Sequence, residues 1–471
     1  MRNFNYKTIS LTLCLFIIFV YTQSNISENE INIEGIKKKY SVLREYLPAA
    51  GREIFTPDFW LKISGDAEQL ILTTQGIQAL NRRVYKNGYR VHPFYENKST
   101  SGALIRRYLR DDLNWISGFY KYDSHNNRIY GNRLYPKLEL IMNISAVPEK
   151  VINRFCIVVA PVYIRAFPTN IMIMKKKNNY PFDILQKSSL DIGQEVTLFH
   201  LSADKQWGYV QTAFTTGWVS LHAIAWTNKE AATAFINTES FIIAAKPRVH
   251  IYSDRECTKD TGFIRLGSRL PLQYGSGEET EVLIPWHRGD NLLLYKKGYI
   301  QNKSFILTNY LPMTKKNVIT IAFEMIGEPY GWGESGFNTD CSSYLTRVCA
   351  VFGLDFPRSS YNQVSLLNPV YKKDKKKTQF PGNIPAAKTI LYYQNPGHVM
   401  LYLGKYENTH YAIHNMWSFF RPRTGKAIIH QPENSADEEI MVQGVVVTPL
   451  TLGEKSFHGS LQQQINIIGE F

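Results

Sequence analysis

Cys341, His398 and His414 are the residues whose types and surroundings could carry out nucleophilic chemistry. Cys341 follows Asp340, and Leu345, Val348, Cys349 and Phe352 then mark an apolar face that ends at Gly353. That pattern places Asp340 at a helix N-cap, Cys341 on the first turn and Gly353 at the stop. A helix N-terminus and a nearby histidine both favour the thiolate, which is the reactive form of cysteine. Cys349, deep in the same helix, has neither advantage and reads as a core residue. Downstream, "TILYYQNPGHVMLYLGKY" reads as two strands about a turn, with His398 entering the second, and "YAIHNMWSFFRPR" reads as the next strand, carrying His414. Antiparallel neighbours of this kind can bring together a base and the group that orients it. A lone cysteine before an apolar helix is ordinarily structural; the two strand histidines reverse that prior. The chemistry such a set would perform is acyl transfer through a thiol.

The elements that must position these residues fall into stretches of different pattern. From Asn25 to about Lys150 the chain reads as mainly helical, with Leu70, Leu72, Ile77 and Leu80 at helical spacing. Its last part, "DLNWISGFYKYDSHNNRIYGNRLYP", reads as a long packed loop. Two segments then resemble each other: "SLDIGQEVTLFH" leads to "WGYVQTAFTTGWVSLHAI", and "FIRLGSRLPLQYG" leads to "LLLYKKGYIQNKSF". Each has a glycine turn (Gly193, Gly267) before an alternating strand, and each closes on Gly217-Trp218-Val219 or Gly298-Tyr299-Ile300. Short strands with turns at these spacings describe small β-barrels, and a divergent duplication is the economical account. After "LPMTKKN" the order becomes helix, helix, then strands to about Gly453, with the lysine-rich "YKKDKKKTQFPGN" as a solvated loop.

A chain of 471 residues is longer than one hydrophobic core ordinarily serves, and its 44% hydrophobic and 13% aromatic content excludes general disorder. The formal charge of +14 suits an anionic partner such as nucleic acid, an acidic membrane face or a wall polymer, but equally a merely soluble basic surface. No nucleic-acid recognition motif accompanies it, so nucleic acid is not expected. Arg2 and Lys7 precede an apolar stretch from Ile9 to Tyr21, with small residues at Thr22-Gln23-Ser24 and no acidic residue before Glu28. This reads as a secretory signal, with an uncleaved membrane anchor as the alternative. Cys14 lies inside the apolar stretch, which does not suit lipid attachment. Four cysteines remain after cleavage, without zinc-site spacing, and Cys341 and Cys349 are about 12 Å apart on one helix, too far for a disulfide. H-E-x-x-H is absent and the glycines near Gly331 lead to a cysteine rather than a lysine–serine pair, so neither a metal nor a cofactor is expected.

The run Gly327-Glu328-Pro329-Tyr330-Gly331-Trp332-Gly333, then Asp340-Cys341-Ser342, then "GHVMLYLG" resembles the NlpC-type cell-wall cysteine peptidase family over roughly Lys316 to Gly453. "RAFPT" and "HLSADKQWGYV" resemble bacterial SH3-type domains. The layout is similar to that of gamma-D-glutamyl-L-diamino acid endopeptidases, and "AIHNMWSFFRPR…VQGVVVTPLTLG" resembles the end of that subgroup. The resemblance implies an α+β multidomain fold: a helical N-terminal region, two small SH3-like β-barrels and a papain-like α+β cysteine peptidase domain. The expected limits are 1–24 for the signal, 25–150 for the helical region, 151–230 and 235–312 for the barrels, 313–456 for the peptidase domain and 457–471 for a C-terminal tail.

The resemblance also implies roles. Cys341 matches the nucleophile, His398 the general base and His414 the residue that orients the base. Tyr330 matches a tyrosine beside the nucleophile that supports the oxyanion. Asp340 and Ser342 match positions that hold the free amine of the substrate's L-alanine, and Arg358 and Ser359 match a turn lining the same cleft. Ser343 departs from the glycine usual in the family. The implied enzyme is an exported, monomeric cysteine endopeptidase that cuts the gamma-D-glutamyl–diamino acid bond of peptidoglycan stem peptides or muropeptides. The alternatives are an N-acetylmuramoyl-L-alanine amidase on the same scaffold and a non-catalytic wall-binding protein.

Overall fold

The computed structural model describes residue 43 and residues 51–92, 98–117, 121–179, 182–276, 279–373, 379–422 and 437–471. The segment read as a secretory signal and the centre of the lysine-rich stretch lie outside these residues. Among the described residues no helix is long and apolar enough to cross a membrane.

The C-terminal half is organised by strands with no polar face. Thr389–Tyr393 is buried at every position, as are the first six residues of His398–Tyr406. These strands lie inside a six-stranded antiparallel sheet with the order Asn368–Lys372, Ile467–Glu470, Thr389–Tyr393, His398–Tyr406, Thr409–Pro422 and Asp437–Pro449. Helices Lys315–Phe323, Cys341–Ala350 and Ser360–Leu366 share its core through Ile319, Tyr344, Leu345, Val348 and Val364. Ile467–Glu470 corrects the expectation of a tail. The last residues are an interior strand, with Ile468 fully buried, because two neighbours would otherwise lack a ladder partner.

The N-terminal region is two units rather than one. Pro57–Ile63 and Thr74–Lys86 place Trp60, Ile77, Leu80 and Val84 in the core of the C-terminal sheet and its helices. Between them Leu70–Leu72 is a strand paired with Met313–Thr314, so Leu70 and Leu72 are not helical as their spacing had suggested. By contrast, Gly102–Ser117 and Gly131–Met142 pack on the first barrel-like sheet, with Leu109, Leu113, Leu138 and Met142 in a core shared with Tyr209 and Trp218. The segment expected as a long loop is the end of one helix, the hairpin Lys121–Asp123/Arg128–Ile129 and the first half of the next helix. The hairpin turn is set by Asp123, whose carboxylate accepts the N–H groups of His125 and Asn127.

Two seven-stranded antiparallel sheets lie between these parts. In the first, strand order is 224–227, 154–158, 195–201, 207–211, 216–220, 162–165 and 186–190; in the second it is 306–307, 241–244, 269–276, 279–286, 294–300, 248–252 and 260–265. Taken by position within each copy, the two orders are identical, which is the resemblance noticed in the sequence. Gly193 and Gly267 turn corresponding corners at φ 89° and 80°, where a side chain is strained. At Gly267 a Cβ would also lie 2.6 Å from Ala350, so this glycine lets the second sheet touch the helix that begins at Cys341.

Candidate active site

Cys341 opens the helix Cys341–Ala350, and Asp340 caps it. The Asp340 carboxylate accepts the Ser343 N–H at 2.9 Å, while the Ser343 hydroxyl accepts the Asp340 N–H at 2.9 Å. Ser343, the departure from the family pattern, therefore completes a reciprocal capping box. The preceding loop is pinned to the sheet: Tyr330 N–H bonds the Gln443 carbonyl, and Asn415 donates to the Thr339 carbonyl at 2.6 Å.

The sheet register brings the histidines together. Leu401 opposes Ile413 and Tyr402 opposes Ala412, which sets His398 diagonally across from His414 on one face. On the other flank His414 opposes Val446, so Thr448 is its diagonal neighbour there. His398 Nε2 lies 2.7 Å from His414 Nδ1, and His414 Nε2 lies 2.9 Å from Thr448 Oγ1. The chain allows two polarities; in the one that suits a base at His398, His398 Nε2–H donates to His414 Nδ1, and His414 Nε2–H donates to the Thr448 hydroxyl. That tautomer leaves His398 Nδ1 as the lone-pair nitrogen. The Val399 N–H, next to His398, and the Ser342 N–H face the Cys341 sulfur closely enough to favour its anion.

Electrostatically the site differs from the expectation of a depressed thiol. Burial, aided by the charge of Asp340, pushes the Cys341 thiol up to about 12, against the downward pull of the Val399 and Ser342 N–H groups. Burial lowers His398 to about 4 and, with His398 beside it, holds His414 well below the usual imidazole range. The resting pair is therefore neutral thiol and neutral imidazole. Cys349 is buried and its thiol pushed up by burial alone, in keeping with a core role.

The remaining expected residues are partly together. Tyr330 neighbours Cys341 and Asp340, and burial followed by those two charges raises its hydroxyl pKa. Arg358 grips Asp340 through Nη2 at 2.6 Å and Nη1 at 3.1 Å, and reaches the Ser342 hydroxyl at 2.7 Å. Asp340 and Ser342, expected to hold a substrate amine, thus hold a guanidinium of the same chain. Ser359 is exposed, at the N-cap of Ser360–Leu366.

Residues that no motif indicated complete the arrangement. Buried Gln363 donates to the carbonyls of Ser342 and Pro357, tying the helix that begins at Cys341 to the Arg358 turn. Glu334 has φ 64°, in the left-handed region, between Gly333 and Ser335. Its carboxylate accepts Ser188 Oγ at 2.7 Å and Ser189 N–H at 3.1 Å from the first sheet, and Arg347 Nη2 at 2.9 Å. Asp191 binds Arg265 of the second sheet at 2.6 Å and Arg347 at 3.0 Å. Both sheets and the helix that begins at Cys341 therefore meet in one buried charge network. A separate cavity of about 860 Å³ lies at this junction, bordered by Arg358 and Arg347 but not by Cys341 or His398.

A buried thiol at a capped helix start, set against paired histidines on an antiparallel sheet, is the architecture of a cysteine peptidase domain. Residues 327–435 match the NlpC/P60 family, and residues 173–220 match the SH3 domain of SH3b1 type. The C-terminal domain belongs to the NlpC/P60 family, and the chain joins it to an SH3b1 domain. Two Corynebacterium glutamicum proteins named as probable endopeptidases are 30% identical to it over 92 residues, 19% of this chain. The chain spans about 40% of the length of these curated relatives. A solved structure described as a novel NlpC/P60 endopeptidase from Photobacterium damselae subsp. piscicida aligns with TM-score 0.65 at 20% identity, over 85% of this chain and 92% of that one. The likeness to that structure is one of fold.

Proposed function

We propose that this protein is an exported cysteine endopeptidase that hydrolyses the gamma-D-glutamyl–diamino acid bond of peptidoglycan stem peptides. The observation that carries this reading is the hydrogen-bonded chain from Thr448 through His414 to His398, whose neighbour Val399 turns its N–H toward the Cys341 sulfur. Substrate binding aligns the gamma-carbonyl of D-glutamate with the sulfur. His398 Nδ1 takes the thiol proton as the C–S bond forms, and His414 accepts from the His398 Nε2–H and steadies the imidazolium. N–H groups at the helix start, with Tyr330 nearby, receive the oxyanion. Collapse breaks the C–N bond, and His398 returns the proton to the leaving amine of the diamino acid. Water, deprotonated by the same imidazole, then attacks the thioester and releases the D-glutamyl carboxylate and the free thiol.

Incubation with L-Ala-gamma-D-Glu-diaminopimelate, with products read by mass, tests this. The wild type releases the L-Ala-D-Glu dipeptide, and Cys341→Ala does not. Equal slow turnover by both would return the protein to the class of wall-binding proteins.

A further inference from the structure

The cavity of about 860 Å³ lies where helix Thr74–Lys86, both seven-stranded sheets, helix Lys229–Ile236 and the far end of the helix that begins at Cys341 meet. Ligand sites favour such junctions, and the volume suits a molecule the size of a short peptide. Most of the charged groups around it are spent on one another. Arg347 holds Glu334 and Asp191, and Arg358 holds Asp340. Arg90 stands 3.5 Å from one oxygen of Asp355, whose other oxygen accepts the Tyr85 hydroxyl at 2.9 Å.

Arg269 is different. Its guanidinium lies over the Phe241 ring, 3.7 Å from the centroid. It donates from Nη1 to the Tyr310 hydroxyl at 2.8 Å and from Nη2 to the Thr238 carbonyl at 3.3 Å, and among the described residues no carboxylate pairs with it. The Tyr310 hydroxyl, having accepted from Arg269, keeps its own proton to donate, and Tyr310 is 40% exposed. A guanidinium and a phenol O–H therefore stand side by side, fixed on an aromatic ring, with no anion of the chain to receive them. A carboxylate is the group that such a donor pair takes.

Glu195, on the same cavity, is the complement. It begins the strand Glu195–Leu201, and among the described residues its carboxylate accepts no hydrogen bond. Burial raises its pKa to about 7, with Arg90 pulling down and Asp355 pushing up. A cationic donor would relieve that desolvation. The two unpartnered groups come from adjoining elements: a Cβ on Gly193, two residues before Glu195, would lie 3.4 Å from the Arg269 carbonyl oxygen.

We propose that the cavity is a second ligand site, separate from the Cys341 centre, for a short zwitterionic peptide whose carboxylate rests on Arg269 and Tyr310 and whose ammonium rests on Glu195. The freed L-Ala-D-Glu dipeptide has this charge pattern, so the choice of peptide rests on the reading above. The Arg347 wall sets the ligand against the helix that carries Cys341.

Calorimetry on the full chain carrying Cys341→Ala tests the site without turnover. The probes are L-Ala-gamma-D-Glu, its N-acetyl form and inorganic phosphate. The dipeptide is expected to bind at least tenfold more tightly than either of the other two. Adding Arg269→Gln, or the milder Tyr310→Phe, is expected to weaken the dipeptide tenfold or more, the worth of one hydrogen bond to a charged group. Tyr310→Phe keeps the ring beside Arg269, so it decides the matter should Arg269→Gln fail to fold. Dipeptide affinity unchanged by Tyr310→Phe and by Glu195→Gln overturns the site. Equal binding of the N-acetyl form overturns the ammonium contact, and phosphate binding as tightly as the dipeptide overturns a peptide as the ligand. Turnover of the tripeptide by the wild type, with no binding that depends on Arg269 or Tyr310, overturns this site alone. Absence of turnover with that binding intact overturns the endopeptidase reading and leaves the site standing.

Discussion

His414 Nε2 lies 2.9 Å from the hydroxyl of Thr448, a fully buried residue on the neighbouring strand. When His414 Nε2–H donates to this hydroxyl, the contact holds a proton on that ring nitrogen and leaves Nδ1 to accept from His398. Without an acceptor at Thr448, the Nδ1–H tautomer of His414 becomes competitive, and that tautomer cannot accept from His398. Thr448→Val keeps the shape and removes the acceptor. We expect kcat/KM to fall by about 10- to 100-fold, within the range general acid–base catalysis supplies, with Thr448→Ser recovering most of it. Unchanged activity in the valine variant would show that the tautomer is fixed by the two histidines alone.

The burial of His398 sets the acid limit of activity. A base must be neutral to accept a proton, and an imidazole lowered to about 4 stays neutral until the pH approaches that value. A thiol raised to about 12 remains protonated across the same range, so no alkaline activation is expected. The kcat/KM profile should therefore be flat from about pH 5 to about pH 9 and fall toward pH 4. For the same reason Cys341 should alkylate slowly with iodoacetamide at pH 7. An acid limb near 6.5 would show that the imidazole is solvated in the free enzyme.

Glu334 is the joint between the SH3b1 domain and the helix that begins at Cys341. Its arginine partners hold its carboxyl below the ordinary range, so it adds stability above its unfolded value and loses that contribution only as pH falls through the lower folded one. Glu334→Gln leaves Arg265 and Arg347 under-compensated in a buried site, at a cost of about 3–5 kcal/mol. We expect a lower urea midpoint, with the difference from wild type persisting at pH 4. A variant as stable as wild type would mean that Asp191 alone balances both arginines.

Ser343 offers a smaller test. Ser343→Ala keeps the N–H that bonds Asp340 but removes the hydroxyl that accepts the Asp340 N–H. The loss should be about 1 kcal/mol in thermal or chemical unfolding, in the range of a helix cap.

What the sequence made legible follows from interaction range. The helix at Cys341 has local signals, a cap before it and an apolar stripe after it, so its start and the exclusion of Cys349 could be read directly. The histidine pair needed only that two adjacent strands be antiparallel. Thr448 was not legible, because in "VVVTPL" nothing distinguishes it from any strand threonine until the register with His414 is known. Glu334 was hidden differently: its partners Ser188 and Ser189 are more than a hundred residues away, and its left-handed backbone in "GWGESGF" looked like part of a glycine loop. The raised thiol was missed because helix position is local, whereas burial belongs to the whole domain.

The C-terminal strand shows the same limit and gives the last prediction. Ile467–Glu470 is four residues long, too short to announce itself, yet it pairs with Asn368–Lys372 on one side and Thr389–Tyr393 on the other. Removing residues 467–471 exposes the ladder groups of both neighbours and withdraws Ile468, fully buried, and Phe471, which packs on Phe356. Burial of one such side chain is worth about 2–3 kcal/mol and each ladder bond about 1 kcal/mol, so the sum rivals the whole stability of a domain. The truncated protein should be found in the insoluble fraction or, if recovered, should lack a cooperative thermal transition in the peptidase domain. A soluble, active truncation would mean that the sheet closes without its interior strand. The double substitution Ile468→Ala with Phe471→Ala keeps the ladder and should lower the melting temperature without abolishing folding, which separates the contribution of the hydrogen bonds from that of the side chains.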